Sequence, residues 1–324
     1  ARHEASYRAN AHAAYNNHVA QSGPTATTEA QLLDSLLTAP ASGAISVKAE
    51  ELGSFRAISS GDPIERPLFA ATDQPDAIAR NLIDQSVVAR VDNFGGANGS
   101  AAGVGSLTLS TLQAVQAVAI NDATRYSSNV RASDLGQPET IALNQLTGVI
   151  AADLVNSSLN VTGDVQVETA TRVDTDDMQR RLDLDARSEF GPTPGRAIAL
   201  NVVGWTISGS LFSDDLLDYD EFQSGMSTSL VARAQVDETA LQADGDLSVT
   251  ADNEARINAT TTSIGREGEI LPAISAATAG LTLASNRLRM DTLATIDGTD
   301  TAGLAVNAGG NVTVRAGNSA AVNA

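Results

Sequence analysis

The densest chemistry in this 324-residue chain is the run Ser213-Asp-Asp-Leu-Leu-Asp-Tyr-Asp-Glu-Phe222. It holds five carboxylates: Asp214, Asp215, Asp218, Asp220 and Glu221. A calcium ion takes roughly six to eight oxygen ligands, and a loop this acidic can offer them. The spacing is not that of an EF-hand, and no glycine stands at the turn position. Calcium is therefore the one cofactor these residues suggest, set against the plainer reading of a solvated loop. Asp174, Asp176 and Asp177 form a smaller cluster of the same kind. The three histidines, His3, His12 and His18, are grouped near the start, where imidazoles could hold zinc or nickel. Early surface positions are the simpler account of them. Paired carboxylates also raise a glycosidase or lyase, which would want two carboxyls across a sugar and an aromatic platform. The single tryptophan, Trp205, lies inside an apolar phrase, and Lys48 is the only lysine. No nucleophile-elbow or phosphate-loop motif is present. The reading is therefore that of a non-enzyme, with a polysaccharide-active lyase or hydrolase as the alternative.

Composition narrows the partners. Thirty-nine acidic side chains stand against twenty basic ones, for a net charge of −19. Nucleic acids and anionic membranes need basic footprints, so neither is expected as a partner. There is no cysteine, which removes disulfides, thiolate metal sites and cysteine nucleophiles. No apolar run approaches the ~20 residues of a membrane-spanning helix. Aromatic residues make up only 3%, so the core must be built from Ala, Val, Ile and Leu. Such fillings suit a thin core repeated many times. The chain starts without Met and stops inside a repeated phrase, so it reads as a segment of something longer.

What positions these residues is a repeat. A glycine followed by alternating apolar and polar residues recurs at Gly43-Ala-Ile-Ser-Val47, Gly163-Asp-Val-Gln-Val167, Gly245-Asp-Leu-Ser-Val249 and Gly310-Asn-Val-Thr-Val314. Period-two alternation marks strands with one buried face, and glycine marks the turn before each. A second phrase, Ala-x-Val/Ile-Asp, appears at Ala89–Asp92, Ala234–Asp237 and Ala294–Asp297. A third ends an apolar run in Asn121, Asn144 and Asn201. Asparagines at equivalent turns of stacked units can ladder their amides, a structural role. The spacing of the glycines, 120, 82 and 65, varies as it does when insertions leave a stack as loops. The expected fold is all-β: one continuous parallel β-helix, or β-solenoid, over 1–324. Loop excursions are expected at 61–87, 178–196 and 209–228, with short helices near Ala77–Gln85 and within 27–38. With rungs of ~20–25 residues and ~4.8 Å per layer, this predicts roughly 13–16 rungs and a rod of about 60–75 Å.

The stretch Gly245-Asp-Leu-Ser-Val-Thr-Ala-Asp-Asn-Glu-Ala-Arg-Ile-Asn-Ala259, with Ala197-Ile-Ala-Leu-Asn-Val-Val-Gly204 upstream, resembles repeats of very large bacterial surface proteins. These are the adhesin-like, filamentous-haemagglutinin-like β-solenoid proteins, and the likeness covers most of 88–324. It implies a right-handed coil, export to the cell surface or beyond, and a role as spacer, filament or adhesive surface. The partners implied are further copies or neighbouring segments of the same giant chain, and cell-surface or matrix polysaccharide. Calcium-binding nonapeptides are not present, since Gly95-Gly96 and Gly309-Gly310 lack the continuation those repeats need.

Overall fold

The computed structural model describes residues 2–13, 18–22, 25–34, 43–61, 77–95, 102–123, 139–175, 178–190, 196–205, 229–263, 282–298 and 305–324. Their chain order is a circuit through three sheets. It begins with β1 (Arg2–Ala13) in the first sheet and β2 (His18–Ser22) and β3 (Thr25–Leu33) in the second. The next circuit is β4 (Ala44–Gly61), β5 (Ala77–Asp92) and the short β6 (Ala102–Val104) of the third sheet. β7 (Ser106–Ala123), β8 (Glu139–Val155) and β9 (Ser158–Val161) repeat it. In the fourth circuit both long strands are interrupted. β10 (Val165–Ala170) resumes as β13 (Leu182–Phe190) after an antiparallel hairpin of β11 (Val173–Thr175) and β12 (Met178–Arg180). β14 (Arg196–Val203) likewise resumes as β15 (Leu230–Asp237), followed by β16 (Ala240–Ala243). The fifth circuit is β17 (Leu247–Ser263), β18 (Thr282–Leu288), β19 (Met290–Asp297) and β20 (Val306–Ala308), and β21 (Val312–Asn323) follows on β17.

All pairings within these three sheets are parallel, and each strand lies beside its counterpart one circuit on. The described residues are thus all-β with parallel sheets, and no helix occurs among them. Two expectations are corrected. Residues 77–87, read as the end of a loop and as a short helix, are the first part of β5. Residues 27–33, read as helical, belong to β3. Both segments have neighbouring apolar residues rather than clean alternation. In β5 the reason is visible: Ile78 is buried on one face while Ala79 and Ile83 are buried on the other. A strand covered on both faces loses its period-two signature. The excursion over 178–196 is also corrected, since β12 and β13 occupy most of it. The chain leaves the first sheet earlier, at the β11–β12 hairpin. Gly61 closes β4, and 62–76 and all of 209–228 lie outside the described residues.

The dimensions differ as well. A circuit takes about 60 to 80 residues, because the strands of two sheets run to 16–18 residues. The first sheet therefore rises through six layers, or about 24 Å, and not the thirteen or more of the sequence reading. An extended strand of 18 residues, such as β4, spans about 60 Å, so the strands outrun the stack they form.

The core is a wedge. At its wide end, side chains of all three sheets meet, among them Val47, Leu109, Val249, Val91, Leu154, Leu159 and Leu241. Further along the strands the third sheet is missing, and Phe55, Leu184 and Ile257 of the first sheet pack on Ile83, Leu146 and Val203 of the second. At the narrow end only alanines remain: Ala57, Ala119, Ala186 and Ala259 face Ala79, Ala142 and Ala199. Side-chain volume falls as the sheets converge, which keeps the interior close-packed. The scarcity of aromatics follows from this geometry.

The first four circuits turn out of the second sheet at a residue with positive φ: Asp34 (47°), Asn93 (52°), Asn156 (50°) and Glu238 (45°). This left-handed region favours Asn, Asp and Gly, whose small or locally bonding side chains tolerate it. Glu238 is the misfit in that row. Glu238→Asn is expected to raise stability by about 1 kcal/mol. A urea midpoint that fails to move upward would contradict this.

Candidate functional site

The most ordered chemistry in the molecule is internal. Asn81, Asn144, Asn201 and Asn286 stand in register on four successive layers of the second sheet. The Nδ2 of Asn81 donates to Asn144 Oδ1 at 2.7 Å, Asn144 donates to Asn201 at 2.8 Å, and Asn201 to Asn286 at 2.8 Å. Each amide also donates across the wedge to a backbone carbonyl of the first sheet. Asn81 reaches Val118, Asn144 reaches Asp185, and Asn201 reaches Asn258 at 2.7–2.9 Å; Asn286 reaches Asn323. Those four carbonyls share one register line, so the ladder ties four layers both upward and across. Buried amides are stable only when satisfied, and this arrangement satisfies them layer by layer.

Two of the three asparagines singled out in sequence, Asn144 and Asn201, are in this ladder, and they sit within strands rather than at turns. Asn121 is not. It lies in the first sheet, in line with Ser59 and Ser188. Its phrase, Val118-Ala-Ile-Asn121, is indistinguishable from Ile141-Ala-Leu-Asn144 as text. The ladder members missed, Asn81 and Asn286, share the aliphatic-Ala-x-Asn pattern, in Ile78-Ala-Arg-Asn81 and Leu283-Ala-Ser-Asn286.

The turn glycines Gly43, Gly163, Gly245 and Gly310 fall in one column, with Gly105 as the fifth member between the first two. Gly105 opens Gly105-Ser-Leu-Thr-Leu109, the same phrase with Ser after the glycine, and it resolves the spacing of 120 into 62 and 58. The backbones touch here. Gly105 N donates to Gly43 O at 2.7 Å, Gly245 N to Gly163 O at 3.1 Å, and Gly310 N to Gly245 O at 2.9 Å. A Cβ at Gly245 would lie 2.7 Å from the carbonyl carbon of Gly163 and 2.3 Å from Asp164 Oδ1. The residue after the glycine also has a task. Asp164 Oδ1 accepts the backbone N–H of Asp246 at 2.9 Å, and Asp246 Oδ1 that of Asn311 at 2.7 Å.

A belt of polar side chains crosses the interior between the wide core and the middle one. Glu51, Gln85 and Gln113 are all 1% exposed. Glu51 accepts from Thr28 Oγ1 at 2.7 Å and from Gln85 Nε2 at 3.3 Å, while Gln113 Nε2 donates to Gln85 Oε1 at 3.2 Å. Sequence reasoning missed this belt, though the signal exists: Val47, Ala49, Glu51 and Phe55 share one phase of β4, so Glu51 must point inward.

On the outer faces, charged residues pair between layers. Arg233 holds Asp153 with two bonds, Nε to Oδ1 at 3.1 Å and Nη2 to Oδ2 at 2.8 Å. Arg172 and Arg181 share Glu254, and Arg315 pairs with Asp252. Burial raises the Asp183 carboxyl above its ordinary value, against the pull of Arg256 and Arg181. The Asp185 hydrogen bond raises Arg187. The Trp205 ring packs beside the second apolar cluster of the second sheet, with the guanidinium of Arg287 5.2 Å and that of Arg289 5.9 Å from its centroid.

Asp214, Asp215, Asp218, Asp220 and Glu221 lie outside the described residues, as do Asp176 and Asp177. Asp174 is on β11. His3 and His12 are on β1 of the first sheet, and His18 opens β2 of the second. Among the described residues, no group of three or more His, Asp or Glu could hold a metal ion, and no helix is long and apolar enough to cross a membrane. No protein-family model, curated protein or solved structure matches the chain.

Proposed function

We propose that the chain is a parallel β-solenoid segment of a large exported bacterial surface protein, and that it acts as a structural or adhesive spacer. The observation that carries this reading is the repetition of chemistry by layer. The same glycine and the same asparagine recur from the second circuit to the fifth, and backbone and amide groups of one circuit bond to those of the next. A design of that kind extends indefinitely in one direction. The chemistry that is repeated is internal and structural: amide ladders, turn columns and interlayer ion pairs. The resemblance of 245–259 and 197–204 to repeats of giant surface proteins points the same way, as does an acidic exterior that discourages lateral clumping.

Export is tested by protease shaving of intact source cells. Peptides of this chain should be released while cytoplasmic markers stay inside. Recovery of the intact chain only after lysis would overturn the reading.

A further inference from the structure

The fourth circuit breaks both of its long strands, and both breaks fall at the level of the polar belt. In the first sheet Ala170 is the register partner of Leu112, and Asp183 that of Gln116. Thr171 to Leu182 therefore stand where the third circuit has only Gln113, Ala114 and Val115. In the fifth circuit the same interval is Asn253, Glu254 and Ala255. Thr171 and Leu182 keep the buried, inward places, so 172–181 replace one outward residue. In the second sheet Val203 pairs with Leu288 and Leu230 with Met290. There 204–229 replace a single exposed residue, Arg289.

This level differs from the rest of the core. Along the first sheet the wide apolar cluster stops at Val167 and Ala251, and the middle one starts at Leu182 and Ala255. Between them the inward line is polar: Glu51, Gln113, Thr171 and Asn253 are all buried. Chain that departs here takes nothing out of either cluster. The polar line also repairs the break, since a buried backbone group needs a partner. Thr171 Oγ1 accepts the Glu254 N–H at 2.6 Å and donates to Asn253 Oδ1 at 3.0 Å. The Glu254 carboxylate then holds both ends of the excursion, accepting from Arg172 Nη1 at 2.8 Å and from Arg181 Nη1 at 3.5 Å. In the second sheet the Arg289 N–H donates to the Val203 carbonyl at 2.9 Å, and the Arg289 carbonyl accepts the Leu230 N–H at 3.2 Å. Each base is thus closed by one residue of the fifth circuit.

We infer that the belt is an insertion seam, the level at which this stack admits and displays extra chain, with Glu254 and Arg289 closing the bases. The hairpin of β11 and β12 is then a replaceable part. The inference goes beyond the spacer reading and does not depend on export.

The test begins by replacing 172–181 with one alanine, which copies the Gln113-Ala114-Val115 junction of the third circuit. The excised chain should unfold cooperatively, with a urea midpoint within about 0.5 M of the intact protein. A segment of about ten Gly and Ser residues is then put into the excised chain in place of Ala114 or, separately, of Val118. Both positions face outward, but the neighbours of Val118, Ala117 and Ala119, belong to the middle and narrow clusters. The insertion at Ala114 should move the midpoint by no more than about 0.5 M, and that at Val118 should lower it by at least about 1 M. In the intact chain, Glu254→Gln should raise the rate of tryptic cleavage after Arg172 and Arg181 at least about threefold, because the base opens more often. An excised chain that does not fold, insertions that cost the same at both positions, or a cleavage rate indifferent to Glu254→Gln would each overturn the proposal.

Discussion

Replacing Asn144 by Asp should cost the fold about 3–5 kcal/mol, although the two side chains are nearly the same shape. Asn144 is fully buried, accepts from Asn81 and donates to both Asn201 Oδ1 and the Asp185 carbonyl. A carboxylate keeps the first bond and loses both donors. It leaves two buried oxygens facing a buried negative charge, and the interior offers no cation among the partners of this ladder. Asn144→Leu removes the charge problem but still strips partners from the Asp185 carbonyl, the Asn201 oxygen and one Asn81 hydrogen. It should cost less than the aspartate at neutral pH and more than an ordinary surface change. Chemical denaturation of the three proteins side by side decides the matter. Equal midpoints for wild type and Asn144→Asp would show that the ladder does not hold the layers together.

The second large effect is expected at Gly245. A valine there must place its Cβ 2.7 Å from the Gly163 carbonyl carbon, and backbone cannot step aside as a flexible side chain can. The layers have to spread, which also pulls Asp246 N from Asp164 Oδ1. The cost should be about 3 kcal/mol or more, at the upper end of overpacking penalties. Gly103→Ala is the contrast, because a Cβ there meets nothing within 4 Å. It should change stability by no more than about 0.5 kcal/mol. If the two glycines respond alike, the steric argument for the turn column is wrong.

These two positions show how legible the molecule was. Gly245 could be read from text, because the glycine phrase recurs and its role is local: a turn with no room for Cβ. Even so, Gly105 escaped, although Gly105-Ser-Leu-Thr-Leu109 has the same glycine and the same alternation. The asparagines were half legible. Asn144 and Asn201 are recognisable as repeated, but Asn121 carries the same phrase and sits in a different sheet. What separates them is which strand lies opposite, and that is a non-local fact. The strand β5 was misread for a related reason. Its alternation is hidden by burial on both faces, so its residues look helical until their neighbours are known. The calcium proposal for Asp214, Asp215, Asp218, Asp220 and Glu221 stays a reading of sequence, since those residues lie outside the described structure.

By itself the sequence determined that this chain is all-β, with alternating strands and a small-residue core. Those properties are written in period-two alternation, turn glycines and composition, which act over a few residues. The tertiary structure decided the length of a circuit, the membership of the asparagine ladder, and the wedge that narrows to alanine against alanine. Each of these depends on which residues face one another across some sixty to eighty positions of chain, a distance at which hydrogen-bond register and side-chain volume, and not local preference, choose the partner.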